Sequence, residues 1–299
     1  MAEIVGVFGA GALGTLLAAR LSRAGHSVRI LARAPVRRET LRRDHPDLHV
    51  EDRAAGLSPA PLVFLCVKSY DTEAASLALA EAGVSSGICS LQNGWGHMEI
   101  LEAALPKSPL IVGATLLGAY LEEHGALRTS SDGPSRFAPW GDTEYRWAEY
   151  AAILFESAGL KAHAHHDAPG VIWRKLVMSA AVNPVSALSG VSNGAILESA
   201  SMLPAAEAAA SEAARVGARL GHLEPGSDPR PELRQLLHLT AENRSSMAED
   251  LARGRRTEID AIVGSVVRAA RGVGEPVPEL ERLWAAVLAR EATARQGSA

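Results

Sequence analysis

The chain has 299 residues, 47% of them hydrophobic, and carries 30 basic against 34 acidic side chains for a formal net charge of −4. That length exceeds what a single core usually serves, so two domains are expected, and the dispersed charge of both signs disfavours a nucleic-acid or anionic-membrane surface. No apolar run approaches the roughly 18 residues needed to cross a bilayer, and no basic leader precedes the first strand, so a cytoplasmic protein is expected.

The first element is the short apolar run Ile4-Val5-Gly6-Val7-Phe8, followed at once by Gly9-Ala10-Gly11-Ala12-Leu13-Gly14 and by apolar residues at helical spacing, Leu13, Leu16, Leu17 and Leu21. A Gly-x-Gly-x-x-Gly turn between a strand and a helix is the mark of a dinucleotide site. Gly9 permits the tight turn, Gly11 lets backbone approach a pyrophosphate, and Gly14 lets helix pack on strand. The helix N-terminus offers N–H donors and a positive partial charge to the phosphates. The next strand, Ser27 to Leu31, ends at Ala32-Arg33, where an NAD-binding chain usually carries an acid for the ribose 2′-hydroxyl. An arginine there suits a 2′-phosphate, so NADP(H) is the expected cofactor. Arg37, Arg38, Arg42 and Arg43 follow on a helix or loop and read mainly as a solvated basic face, from which one side chain could supplement Arg33.

Strand and helix then alternate: Pro61 to Val67, Thr72 to Ala82, Ile88 to Leu91, His97 to Leu105 and Leu110 to Leu117. Ala126 to Trp140 is rich in turn residues and reads as hairpin strands. A helix from Tyr145 to Ser157 and a strand from Lys161 to His165 close the region. Cys66 and Cys89 lie in apolar strand-like runs, where reduced buried thiols are the default. The expected fold is an α/β Rossmann-type doubly wound sheet over residues 1–166 and an all-α domain over 167–299. Helices are predicted at Val171 to Leu188, Ala195 to Leu220 with a break near Pro204, Glu232 to Arg253, Glu258 to Val273 and Leu280 to Arg295. Gln296 to Ala299 reads as a frayed tail. His163, His165, His166 and Asp167 read as a polar connector rather than a metal site, since no further ligand set accompanies them.

Polar residues interrupt apolar segments at a few places. Lys175, Ser179 and Asn183 recur at i, i+4 and i+8 and share one helical stripe. In a largely apolar setting each needs a partner, which a polar substrate could supply or the helix itself could replace. Asn243 and Ser246, in Glu242-Asn243-Arg244-Ser245-Ser246-Met247, are i, i+3 neighbours if that segment is helical. Glu258 falls in the first turn after Gly254, where it complements a helix dipole or serves a site. Lys68 and Asn93 each follow a strand, at the carboxyl edge where doubly wound sheets bind ligands.

Taken together, these segments resemble the ketopantoate reductase (2-dehydropantoate 2-reductase) family over nearly the whole chain. The resemblance rests on Gly9 to Gly14, Arg33, Val67-Lys68-Ser69, Asn93-Gly94, Trp173-Arg174-Lys175-Leu176, Asn183-Pro184, Asn193-Gly194, Glu242 to Met247 and Thr257-Glu258-Ile259-Asp260. It implies NADPH-dependent reduction of a 2-oxo acid bound between the domains, with Lys175 as proton donor and Glu258 orienting it. Cofactor contacts are implied at the glycine turn, Arg33, Lys68, Asn93, the Ala119 backbone and Glu258. Substrate contacts are implied at Asn93, Lys175, Ser179, Asn183, Asn193, Asn243 and Ser246. Family members often carry asparagine where this chain has Ser179, which leaves another branched 2-oxo acid as the alternative substrate. A sensor that binds NADPH without catalysis would need neither Lys175 nor Glu258. No metal, nucleic-acid or membrane partner is expected, and a homodimer is left open.

Overall fold

The computed structural model describes residues 2–122 and 127–296. The predicted tail therefore lies almost wholly outside the described residues, as does the first residue of the predicted Ala126 to Trp140 hairpin region. The chain divides into two compact units: one holds the residues up to Gln92 together with His97–Val171, the other Asn93–Gly96 together with the chain from Ile172 onward. The division falls five residues beyond the expected boundary, and Asn93–Gly96 packs with the second unit although it directly follows a strand of the first.

In the first unit the strands β1 (Ile4–Phe8), β2 (Ser27–Leu31), β3 (His49–Glu51), β4 (Leu62–Leu65), β5 (Gly87–Ser90), β6 (Leu110–Leu121), β7 (Leu127–Pro139) and β8 (Ala162–Ala164) form one sheet in the order β3-β2-β1-β4-β5-β6-β7-β8. The pairs from β3 to β6 are parallel, β6 and β7 are antiparallel, and β7 pairs parallel with β8. The order of the first six is that of a dinucleotide-binding sheet. Helices α1 (Ala12–Arg23), α2 (Pro35–Asp44), α3 (Thr72–Glu81), α4 (His97–Ala104) and α5 (Arg146–Ser157) accompany it. Strands covered on both faces read as unbroken apolar runs, and β4 is buried throughout. The predicted hairpin region is one long strand, β7, paired antiparallel with β6, which runs past the expected end at Leu117.

The second unit is helical. α6 (Ala168–Ser189) begins in the first unit and runs on through Pro184; α7 (Asn193–Glu198), α8 (Met202–Arg219), α9 (Arg230–Leu239), α10 (Ser246–Ala252), α11 (Ser265–Val273) and α12 (Pro278–Gln296) follow. Trp173 is fully buried at its centre, its ring 5.7 Å from those of Trp95 and His222. Three of the expected helices are divided or shortened. The break in Ala195 to Leu220 comes at Ser199–Ser201, and Pro204 falls in the first turn of α8, where a missing N–H costs no helical bond. Glu232 to Arg253 is two helices, because Ser245 caps α10 by accepting the Ala248 N–H at 3.1 Å. Asp260–Gly264 forms a π-turn ahead of α11, so Glu258 stands just outside the helix it was expected to open. Among the described residues no helix is long and apolar enough to cross a membrane.

Candidate active site

The glycine turn follows β1 as its spacing predicts. Gly9 adopts φ +115°, and a Cβ on Gly14 would fall on the Gly9 carbonyl oxygen, whereas one on Gly11 would meet open space. α1 has no side-chain cap and no acid in its first turn, which leaves its N–H donors and positive end to a ligand. These features fit a dinucleotide pyrophosphate. Arg37 braces the turn: Nε donates to the Ala10 carbonyl at 2.9 Å and Nη2 to Thr15 Oγ1 at 2.7 Å, and burial lowers its pKa against the opposing pull of Asp44. It therefore does not belong to a solvated basic face. Arg38, by contrast, donates to the Ala32 and Arg33 carbonyls, and Arg43 pairs with Asp44.

Arg33 is exposed just past β2, and its Nη2 lies 3.1 Å from Asp71 Oδ2. Lys68 is half-buried at the turn beyond β4, and its carbonyl accepts from Gln92 Nε2 at 3.2 Å while the same amide donates to Thr72 Oγ1 at 2.8 Å. Gln92, which the sequence reading passed over, thus ties the chain after β4 to the chain after β5. Ala119 lies on β6 beside a register shift between Gly118 and Ala119, a break in the ladder of the kind that leaves backbone groups open to another partner. Among the described residues no cluster of three or more His, Cys, Asp or Glu could hold a metal ion, and His166 stacks on Tyr145 at 3.9 Å.

The second unit brings Lys175, Asn93 and Glu258 together from three separate segments. Lys175 Nζ donates to Asn93 Oδ1 at 2.7 Å, and Asn93 Nδ2 donates to Glu258 Oε2 at 3.1 Å. Burial lowers the lysine pKa from 10.5 to about 8, against the raising effect of the Glu258 carboxylate. Glu258 itself is only 6% exposed. Asn93 is anchored by its chain neighbour Trp95, whose N–H donates to the Ala261 carbonyl at 3.0 Å. That carbonyl belongs to the π-turn, where it also accepts from Ser265 Oγ at 2.6 Å.

Ser179 and Asn183 continue the stripe from Lys175 along α6, half-buried between buried neighbours. The loop that splits the predicted Glu232 to Arg253 helix has a use. Its Asn243 and Ala241 carbonyls accept the Asn193 and Gly194 N–H groups at 2.9 Å each, satisfying donors at the start of α7. The expected helical stripe of Asn243 and Ser246 is therefore absent: Asn243 lies in this loop and Ser246 is the exposed first residue of α10. Ser245, between them, is structural, since it also donates to the Asn183 carbonyl at 3.3 Å. Asn193 is 7% exposed, and its Nδ2 donates to Thr240 Oγ1 at 2.8 Å. The Thr240 hydroxyl gives its own proton to Leu236, so the amide orientation is set, and Asn193 Oδ1 remains a buried acceptor with no partner. Such a group is costly unless a ligand fills it.

The sequence matches the family models described as ketopantoate reductase PanE/ApbA over residues 5–142 and ketopantoate reductase PanE/ApbA C terminal over residues 167–291. A 2-dehydropantoate 2-reductase of Archaeoglobus fulgidus is 36% identical over 90% of this chain and 92% of its own, and one of Halobacterium salinarum is 32% identical over 93% and 95%. The crystal structure of a PanE/ApbA family ketopantoate reductase from Ralstonia eutropha superposes with a TM-score of 0.86 at 26% identity, covering 98% of this chain and all of that one. D-mandelate dehydrogenase, solved with NADH and anilino(oxo)acetate, has the same fold at 21% identity and a TM-score of 0.86, over 98% of this chain and all of its own. A glycine turn on a doubly wound sheet, a helical unit carrying Lys175 and Glu258, and relatives matched along almost their entire length place the chain in the ketopantoate reductase family of oxidoreductases.

Proposed function

We propose that the protein reduces 2-dehydropantoate to pantoate with NADPH, a step toward pantothenate, and that Lys175 is the proton donor. The observation that carries this reading is the chain Lys175–Asn93–Glu258, in which a lysine of lowered pKa is held by a neutral amide beside a buried carboxylate. The reduced nicotinamide, when bound, supplies a hydride to the C2 ketone. Lys175 stabilises the negative charge that develops on the carbonyl oxygen and gives it a proton, which completes the alcohol. The neutral amine left behind recovers a proton from solvent, helped by the Glu258 carboxylate, which favours the ammonium. Gly9 to Gly14 and the α1 N-terminus would hold the pyrophosphate and Arg33 the 2′-phosphate, with Lys68, Asn93, the Ala119 backbone and Glu258 as further cofactor contacts.

The substrate carboxylate only accepts hydrogen bonds, so it needs donors, for which Ser179, Asn183, Asn243 and Ser246 are the candidates. Asn193 Oδ1 can serve only a donor, and the substrate hydroxyl is one. Ser179 supports the second reading, a different branched 2-oxo acid, because a hydroxyl fills less space than the amide usual in the family. Steady-state turnover of NADPH with a panel of 2-oxo acids separates the readings. Preference for 2-dehydropantoate is expected. Preference for another acid would favour the second, and cofactor binding without oxidation would overturn both.

A further inference from the structure

Glu258 sits between two contacts that both come from α12. One residue before it, the Thr257 N–H donates to Glu291 Oε1 at 2.7 Å; two residues after it, Asp260 Oδ1 accepts the Trp284 indole N–H at 2.8 Å. Glu291 is 6% exposed and Thr257 3%. A carboxylate is costly to bury unless it is bonded, and this one spends a charge-assisted bond on a backbone N–H rather than on a packing role that an apolar side chain could fill. Trp284 and Glu291 are two helical turns apart and so lie on one face of α12. Thr257 Oγ1 accepts the Ile259 N–H at 3.2 Å, which closes the segment around Glu258 from within. The segment at Glu258 is thus held on one side by the Thr257 backbone and on the other by the Asp260 side chain, while the Glu258 side chain meets Asn93.

Resting on the proposed roles of Lys175 and Glu258, we infer that Glu291 and Trp284 are positioning residues: α12 uses them to fix the Glu258 carboxylate opposite Asn93. Glu291 acts through the Thr257 backbone and Trp284 through the Asp260 side chain. Small displacements of a catalytic group are expensive, about 100-fold in rate for a misplacement of roughly 1 Å.

The test compares Glu291→Leu, Glu291→Gln, Trp284→Phe and Glu258→Gln in the full-length enzyme. Turnover, KM for the acid, cofactor Kd, the pH dependence of kcat/KM and the thermal midpoint are measured for each. Glu291→Leu and Trp284→Phe should lower kcat by about 10- to 100-fold, leave cofactor Kd unchanged and move the alkaline limb toward that of Glu258→Gln. Glu291→Gln keeps an oxygen acceptor and should recover most of the turnover. Folded Glu291→Leu and Trp284→Phe enzymes with wild-type kcat and limb, beside an impaired Glu258→Gln, overturn the inference alone. Wild-type turnover in Glu258→Gln overturns the role of Glu258 and the inference with it. Should Glu291→Leu fail to fold, Trp284→Phe decides by the same criterion, since it removes one N–H and keeps a large ring.

Discussion

The Lys175 ammonium donates to the Asn93 amide oxygen across 2.7 Å, and the other end of that amide faces the Glu258 carboxylate. An ammonium only donates and a carboxylate only accepts, so the amide can point one way alone. A neutral acceptor holds the lysine without adding a charge that favours its protonated form. Desolvation therefore outweighs the attraction of Glu258 and brings the group to about 8, where it can both give up and recover a proton near neutrality.

The pH profile should show this directly. Reduction needs the ammonium, so kcat/KM for the 2-oxo acid should fall as pH rises through about 8. Glu258→Gln removes a charge that raises the lysine pKa and should move that limb to lower pH; Asn93→Asp adds one and should move it to higher pH. Coincident limbs in the three proteins would detach Lys175 from the titration. Stability carries the same signature. Between about 8 and 10.5 the unfolded chain keeps a proton that the folded one has lost, so the Lys175 contribution rises with pH in that window and is absent in Lys175→Met.

Lys175→Ala should lower kcat by about 10²–10⁴, the usual share of a general acid. Cofactor binding, followed by nicotinamide fluorescence, should stay close to wild type. Turnover that survived would assign the proton to another group.

Arg33 is exposed and paired with Asp71. Its bonds to a 2′-phosphate should be worth about 1.5–3 kcal/mol, so Arg33→Ala should narrow the ratio of kcat/KM for NADPH over NADH by about 10- to 100-fold. Asp71→Asn frees the guanidinium from a surface ion pair worth at most about 1 kcal/mol and should tighten NADPH up to about fivefold. An unchanged ratio in Arg33→Ala would place the 2′-phosphate elsewhere.

Gly194 carries the fourth prediction. A Cβ there would lie 2.9 Å from the Ala241 Cβ and 3.2 Å from its carbonyl oxygen, where α7 meets the loop that accepts its first N–H groups. Gly194→Ala should cost about 1–3 kcal/mol by overpacking and raise KM for the acid more than it lowers kcat, because Asn193 is displaced with it. Calorimetry and steady-state kinetics on the same preparation check both parts.

Much of this was legible residue by residue. β1 and β2 begin and end where the strand-like runs Ile4 to Phe8 and Ser27 to Leu31 do, and in β1 no polar position blurs the limits. The stripe of Lys175, Ser179 and Asn183 also followed from spacing, because α6 is long and regular. The split between α9 and α10 did not: Glu242 to Met247 has no proline or glycine, and the break depends on Ser245 as a cap and on the carbonyls given to α7. Arg37 looked like one more surface arginine because its partners, Ala10 and Thr15, lie more than twenty residues away in the chain. The meeting of Asn93 with Lys175 and Glu258 is likewise long-range, and spacing within any one segment carries no sign of it. Glu291 and Trp284 gave no local signal for the same reason.

The π-turn at Asp260–Gly264 makes chain length itself a determinant of the chemistry. Such a turn holds one residue more than regular helix needs. Removing one would let α11 keep its packing while everything ahead of it turns by about 100° and slides by about 1.5 Å. The Ala261 carbonyl would return to the helix ladder and release Trp95, and Glu258 would face away from Asn93. A single-residue deletion in this stretch, even one that spares every named side chain, would therefore disarm the enzyme, and a compensating insertion beside it should restore what no point substitution could.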